Sequence, residues 1–147
     1  MTDPSPDDLL RLDNQLCFAL VTAARNVVGV YRPILEPLGL THPQYLAMLA
    51  LWERSPRSLG ELATALAMDP ATASPLVKRL ESDGLIERQR SAADERRLDI
   101  ALTPKGAALR ARALDVPRQV MARLGMTVSE VEVVRDALNR FAGAVDL

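Results

Sequence analysis

Residues 59–106 read LGELATALAMDPATASPLVKRLESDGLIERQRSAADERRLDIALTPKG, and the apolar period changes once within them. Ser58 is placed to cap a short helix, LGELATALA, which breaks at Met68-Asp69. Asp69 followed by Pro70 signals a new start. The carboxylate is suited to free N–H groups, and proline at the first helical position gives up no needed donor. That helix, ATASPLVKRLES, stops at Gly84, and Pro75 inside it predicts a mild distortion. From Leu85 the period drops to two: LIERQR and LDIAL alternate and are joined by the polar SAADERR, which predicts a β-hairpin. Thr103-Pro104 then repeats the cap-plus-proline start.

Working outward, residues 1–8 are polar and read as a loose arm. Leu9, Leu12, Leu16, Leu20, Ala23 and Val27 keep helical spacing and predict a long first helix to about Arg32, disturbed by Pro33 and Pro37 and closed by Gly39. Thr41 is suited to cap a second helix carrying Tyr45, Met48, Leu49 and Trp52. After Pro104 a helix is expected to reach about Leu124, bent at Pro117. Thr127 or Ser129 opens a last helix with an apolar stripe of Val131, Val134, Leu138, Phe141 and Val145.

The predicted order is α-α-α-α-β-β-α-α, a mainly α winged helix-turn-helix. The long end helices have apolar faces that the small middle cannot cover, so they are expected to form a homodimer interface. The expected division is residues 1–40 for dimerisation and sensing, 41–103 for DNA binding and 104–147 for C-terminal dimerisation helices, all within one integrated domain.

Composition narrows the function. The 147 residues carry a net charge of −1, so any nucleic-acid surface must be local. Leu and Ala supply 24 and 21 residues, a helical composition, and arginine outnumbers lysine 16 to 2. The single Cys17 excludes a disulfide within one subunit and Cys-rich zinc sites, and the single His42 argues against His-based metal clusters. No metal or cofactor is expected. No apolar run reaches the ~18 residues of a membrane span, and the acidic start does not resemble a signal peptide. A cytoplasmic protein without membrane contact is the expectation.

A helix end entering the major groove needs small side chains where the backbone nears the bases. Ala71, Thr72, Ala73 and Ser74 meet that need, and Thr72 and Ser74 add hydroxyls for bases or phosphates. One turn later, Lys78 and Arg79 are suited to neutralise phosphates. In the hairpin loop, Asp94 lies two residues before Arg96 and is placed to hold its guanidinium, which would enter a narrow minor groove; Arg97 adds a further cation. Taken alone, each element also reads as an ordinary capped helix or a solvated turn.

Over residues 9–145 the chain resembles the MarR family of transcriptional regulators, on the 59–106 segment and the D-x-R pattern of Asp94 and Arg96. The resemblance implies a homodimer on a pseudo-palindromic double-stranded DNA operator, usually as a repressor. LDNQLCFAL (12–20) and LTHPQYLAMLALWE (40–53) are similar to the organic hydroperoxide resistance regulators within it. That subgroup senses organic hydroperoxides by oxidising a cysteine, here Cys17, whose thiolate is hydrogen-bonded by tyrosines. One matches Tyr31; the other falls on His42, and a tyrosine often found four residues after the cysteine is replaced by Val21.

Along a straight helix Tyr31 lies ~21 Å from Cys17, so contact requires the partner subunit. His42 is able to donate a hydrogen bond, hold positive charge beside the sulfur, or simply face solvent. With no resolving cysteine, a Cys17 sulfenic acid must persist, over-oxidise, or condense with a backbone nitrogen or a small thiol. Three rivals stand beside this reading: release by a small phenolic or anionic ligand, a Cys17-dependent thiol peroxidase, and a dimeric protein-interaction module. No catalytic motif accompanies Cys17, so an enzyme is not expected.

Overall fold

The computed structural model describes residues 2–143. Val145, expected on the last helix, lies outside them. The chain forms α1 (Pro6–Leu9), α2 (Leu16–Leu35), α3 (His42–Glu53), β1 (Arg57–Ser58), α4 (Leu59–Ala65) and α5 (Pro70–Ser82). It continues through β2 (Ile86–Arg90), β3 (Leu98–Leu102), α6 (Pro104–Ala113), α7 (Val116–Leu124) and α8 (Val128–Asn139). This is the expected mainly helical winged-helix order, with three additions: α1, the break between α6 and α7, and β1. Two compact units result, one from the chain ends (up to Ile34 and from Pro117 onward), the other from Leu35–Val116.

In the Leu35–Val116 unit, local chemistry sets the helix starts. The Thr41 hydroxyl accepts from the Gln44 N–H at 3.3 Å, and the Gln44 side chain accepts from the Thr41 N–H at 2.9 Å. Ser58 and Thr103 receive the N–H of Glu61 and Gly106, each at 3.1 Å. Asp69 departs from expectation. Its backbone is that of a cap, but its carboxylate makes no capping bond. The Asp69 carbonyl instead takes the N–H groups of Thr72 and Ala73, both at 3.0 Å, and Pro70 has none to satisfy.

The hairpin forms where expected, its first strand starting at Ile86 rather than Leu85, with Ile86 opposite Leu102 and Arg90 opposite Leu98. The two-residue β1 adds a third antiparallel strand, giving the order β1-β3-β2. β3 is therefore central. Asp99, which alternation alone places outward, is buried, while Leu98 is exposed.

Leu35, Met48, Leu51, Leu62, Val77, Leu80 and Ile86 are fully buried. Burying such side chains contributes roughly 1.5–3 kcal/mol each. Gly106 marks the closest approach in this unit: a Cβ there would lie 2.0 Å from the Leu85 carbonyl oxygen. Its own carbonyl accepts from the Trp52 indole at 2.9 Å.

The helix expected over 104–124 is two helices, broken at Leu114-Asp115 rather than bent at Pro117. A proline ring clashes with the carbonyl four residues earlier, here that of Ala113, where α6 ends. Pro117 then occupies the first turn of α7, where its missing N–H costs nothing.

In the terminal unit, the long helix begins at Leu16 and not near Leu9. Ser5 and Asp8 form a capping box on α1, and a 3₁₀ turn over Leu12–Asn14 follows. The Gln15 side chain donates to the carbonyls of Leu9 and Arg11 at 2.7 and 2.8 Å, holding the chain out of helical continuity. Pro33 does not end α2, which runs to Leu35 before Gly39 closes the following turn at φ +72°. Thr127, not Ser129, starts α8, in a capping box with Glu130.

Candidate nucleic-acid interface and thiol site

α5 packs one face and leaves the other open. Ala73, Val77 and Leu80, at positions i, i+4 and i+7, are buried. Ala71, Thr72, Lys78 and Arg79 are exposed and Ser74 is half-buried. The open face thus carries Ala71, Thr72, Ser74, Lys78 and Arg79; Ala73, grouped from sequence with the small residues expected near the bases, belongs to the core. Glu81 at the end of α5 pairs with Arg88 of β2 at 3.5 Å, linking the helix to the hairpin.

The loop between β2 and β3 differs from the expected arrangement. Asp94 Oδ1 accepts from the backbone N–H of Arg96 at 3.0 Å and does not hold its guanidinium. This is the local side-chain-to-backbone bond that aspartate makes readily in turns. Arg96 is exposed, and its guanidinium makes no ion pair among the described residues.

The held arginine is Arg97. Its Nε donates to Asp99 Oδ1 at 2.9 Å, and its Nη2 pairs with Glu61 Oε1 of α4. Glu61 Oε2 also accepts from Arg54 Nη2 at 2.8 Å. Hydrogen bonding to Asp99 raises the Arg97 pKa further above its already high value, with Glu61 contributing in the same direction. Sequence reading missed Glu61, Asp99 and Arg54. The signal lay in Arg97-x-Asp99, the i, i+2 spacing that puts two side chains on one face of a strand.

Cys17 is exposed and stands second in α2. The first turn of a helix carries N–H groups without intrahelical acceptors and a partial positive charge, so an anion is favoured there. With the helix assumed to begin at residue 9, Cys17 would have been mid-helix; the true start changes its electrostatic setting. Tyr31 lies in the same unbroken helix, so within one chain the two remain ~21 Å apart. Tyr31 is half-buried, and desolvation raises its pKa, keeping the phenol a donor. His42 begins α3 in the other unit; partial burial lowers its pKa and favours the neutral imidazole.

A helix with a polar outer face, tied to an antiparallel hairpin that ends in exposed arginine, defines a winged helix-turn-helix protein of the nucleic-acid-binding class. The MarR family model matches residues 40–98. The organic hydroperoxide resistance transcriptional regulator of Bacillus subtilis (strain 168) is 38% identical over 131 residues, covering 89% of each chain. AbfR of Staphylococcus epidermidis, solved in reduced form bound to DNA, shares 29% identity at TM-score 0.77, covering 97% of this chain and 100% of that one. CouR of Rhodococcus jostii RHA1, solved with p-coumaroyl-CoA, shares 27% at TM-score 0.76, covering 90% and 95%. The chain belongs to the MarR family and is a transcriptional regulator of that family. Among the described residues, no helix is long and apolar enough to cross a membrane.

Proposed function

We propose that the chain is a homodimeric repressor that leaves a pseudo-palindromic operator when an organic hydroperoxide oxidises Cys17. The observation that carries this reading is the place of the sole thiol: exposed, in the first turn of α2, in a chain similar to an organic hydroperoxide resistance regulator. The thiolate sulfur attacks the outer peroxide oxygen, the O–O bond breaks, and the alcohol leaves with a proton, giving the sulfenic acid. Condensation with a small cellular thiol then forms a mixed disulfide and releases water.

Dimerisation is supported by apolar side chains left open in the terminal unit. Leu9, Leu12, Leu16 and Phe18 near its start, and Val133, Val134 and Leu138 on α8, are all exposed in the single chain. A second copy covers them in this reading, with residues 1–40 and 104–147 supplying the dimer and 41–103 the DNA contacts. Ala71, Thr72 and Ser74 approach bases, Lys78 and Arg79 neutralise phosphates, and the 91–97 loop carries Arg96 to the minor groove. The protein works in the cytoplasm, where operator and thiol pool coexist.

The test is gel shift on the region upstream of the chain's own gene, with and without cumene hydroperoxide, followed by intact mass. Wild type should be released and gain mass at Cys17. Cys17→Ser should bind equally and stay bound; its release alongside wild type would reject the thiol switch.

A second reading, release by a small phenolic or anionic ligand, has its own observation. A cavity of about 610 Å³ is lined by Leu38, Leu85 and Leu109 with the cations Lys105 and Arg112 and the carboxylate Asp83, so one cation in excess faces an amphipathic ligand there. Thermal-shift measurement with salicylate-like compounds separates this reading from peroxide treatment.

A further inference from the structure

We propose that Arg97 is a positioning residue, pinning the root of the wing to α4 through Glu61, rather than a cation that meets DNA. The DNA consequence rests on the reading that the wing touches the operator; the pin itself does not.

Arg97 closes the loop with backbone and side chain together. Its N–H donates to the Asp94 carbonyl at 3.0 Å, and its carbonyl accepts from the Ser91 N–H at 2.9 Å. Both backbone groups are therefore spent at the base of the 91–97 loop. The guanidinium is spent as well, its Nε on Asp99 and its Nη2 on Glu61. Asp99 is buried beside β1, with Ser58 directly opposite it in the sheet. Ser58 caps α4, and Glu61 lies in the first turn of that helix. One side chain thus joins the loop base, the central strand and the first helix of the helix-turn-helix. Arg97 faces two carboxylates, and Arg54 on the far oxygen of Glu61 completes a cluster of two cations and two anions. A planar fork meets such a pair of acceptors in a way a single ammonium does not.

The sign of one substitution discriminates. If Glu61 were only a negative charge near a DNA-binding surface, Glu61→Gln would raise affinity by removing repulsion. As the anchor of Arg97, the same isosteric change frees the loop and lowers affinity.

The experiment measures hydrogen exchange of the 91–97 amides in the free protein, and binding to the upstream fragment across a salt series. Glu61→Gln should accelerate exchange in this loop about tenfold. It should weaken binding about fivefold with the slope against log salt unchanged, because no phosphate contact is lost. Arg97→Lys should behave like Glu61→Gln, while Arg54→Ala should leave loop exchange as in wild type. Unaltered exchange in Glu61→Gln, or a salt slope reduced by about one in Arg97→Gln, overturns the pin. Arg96→Ala reports separately on the underlying reading: it should reduce the slope by about one, and an unaltered slope there rejects wing contact while the exchange data still judge the pin.

Discussion

The Trp52 indole nitrogen reaches the carbonyl oxygen of Gly106 at 2.9 Å, joining α3 to the first turn of α6. At that same turn the missing Gly106 side chain lets the Leu85 carbonyl approach. Strand entry and helix start are therefore fixed against each other by backbone, with no side chain able to yield. Gly106→Ala should destabilise the fold by about 1–3 kcal/mol or more, because backbone must move. Trp52→Phe replaces the indole with a smaller aromatic ring and leaves the buried carbonyl without its donor, the lost bond alone costing about 1–3 kcal/mol. Urea unfolding of both variants checks the order of effects.

Lys78 and Arg79 are exposed on the outer face of α5, whose buried residues are Ala73, Val77 and Leu80. Replacing either by alanine should leave the melting temperature nearly unaltered, the free-energy change staying within about 0.5 kcal/mol. Each should weaken binding similarly on all sequences and reduce the salt slope by about one. Thr72→Ala, by contrast, should change preference among operator variants if its hydroxyl meets a base. Fluorescence anisotropy on matched and scrambled duplexes reads both effects.

Thr41 carries the capping box of α3, and Gln44 within it also donates to Asp83 at 3.3 Å. Thr41→Ala should cost about 1 kcal/mol, and Thr41→Ser should recover most of it. A Gln44→Leu variant should lose more, since it removes one half of the box and leaves Asp83 without its amide donor. Thermal unfolding ranks the three.

His42 gives a pH signature. Its folded pKa lies below the ordinary imidazole value near 6.5, through desolvation, so the unfolded chain binds the proton more readily. Native stability is therefore unaffected by this group well above that value and falls as pH drops through it toward the folded pKa. His42→Gln should flatten the pH dependence of the melting temperature between about pH 7.5 and 5.5. A variant as steep as wild type in that window would assign the dependence to other groups.

Features written in contiguous residues were legible in the sequence. Ser58, Thr41 and Thr103 act as caps because the groups they satisfy lie within three residues, and the SAADERR loop is bounded by two alternating strands. The start of α2 was not legible. Leucine spacing from Leu9 to Leu16 is helical, yet Gln15 bonding to Leu9 and Arg11 builds a different turn from the same spacing. β1 escaped because two residues become a strand only through their partner β3. Ala71, Thr72, Lys78 and Arg79 were chosen for small size or charge on one helix, and the structure leaves all four exposed. The role of Arg97 was not legible, since its Glu61 partner lies 36 residues away and nothing local distinguishes a cation that meets DNA from one held by protein. Asp94 was chosen as the clamp for its spacing to Arg96, but a short side chain in a turn finds the nearer N–H first.

The division into two units has a consequence for biogenesis. Leu35–Val116 is one uninterrupted stretch, whereas the unit bearing Cys17 joins the chain's first helices to its last. During synthesis the winged-helix portion has all its contacts available as soon as it clears the ribosome. The other portion must wait until the residues from Pro117 onward have emerged. Loop closure across the whole intervening stretch makes that step slower than any inside it. Newly made chains thus acquire the winged-helix unit before the unit that bears Cys17.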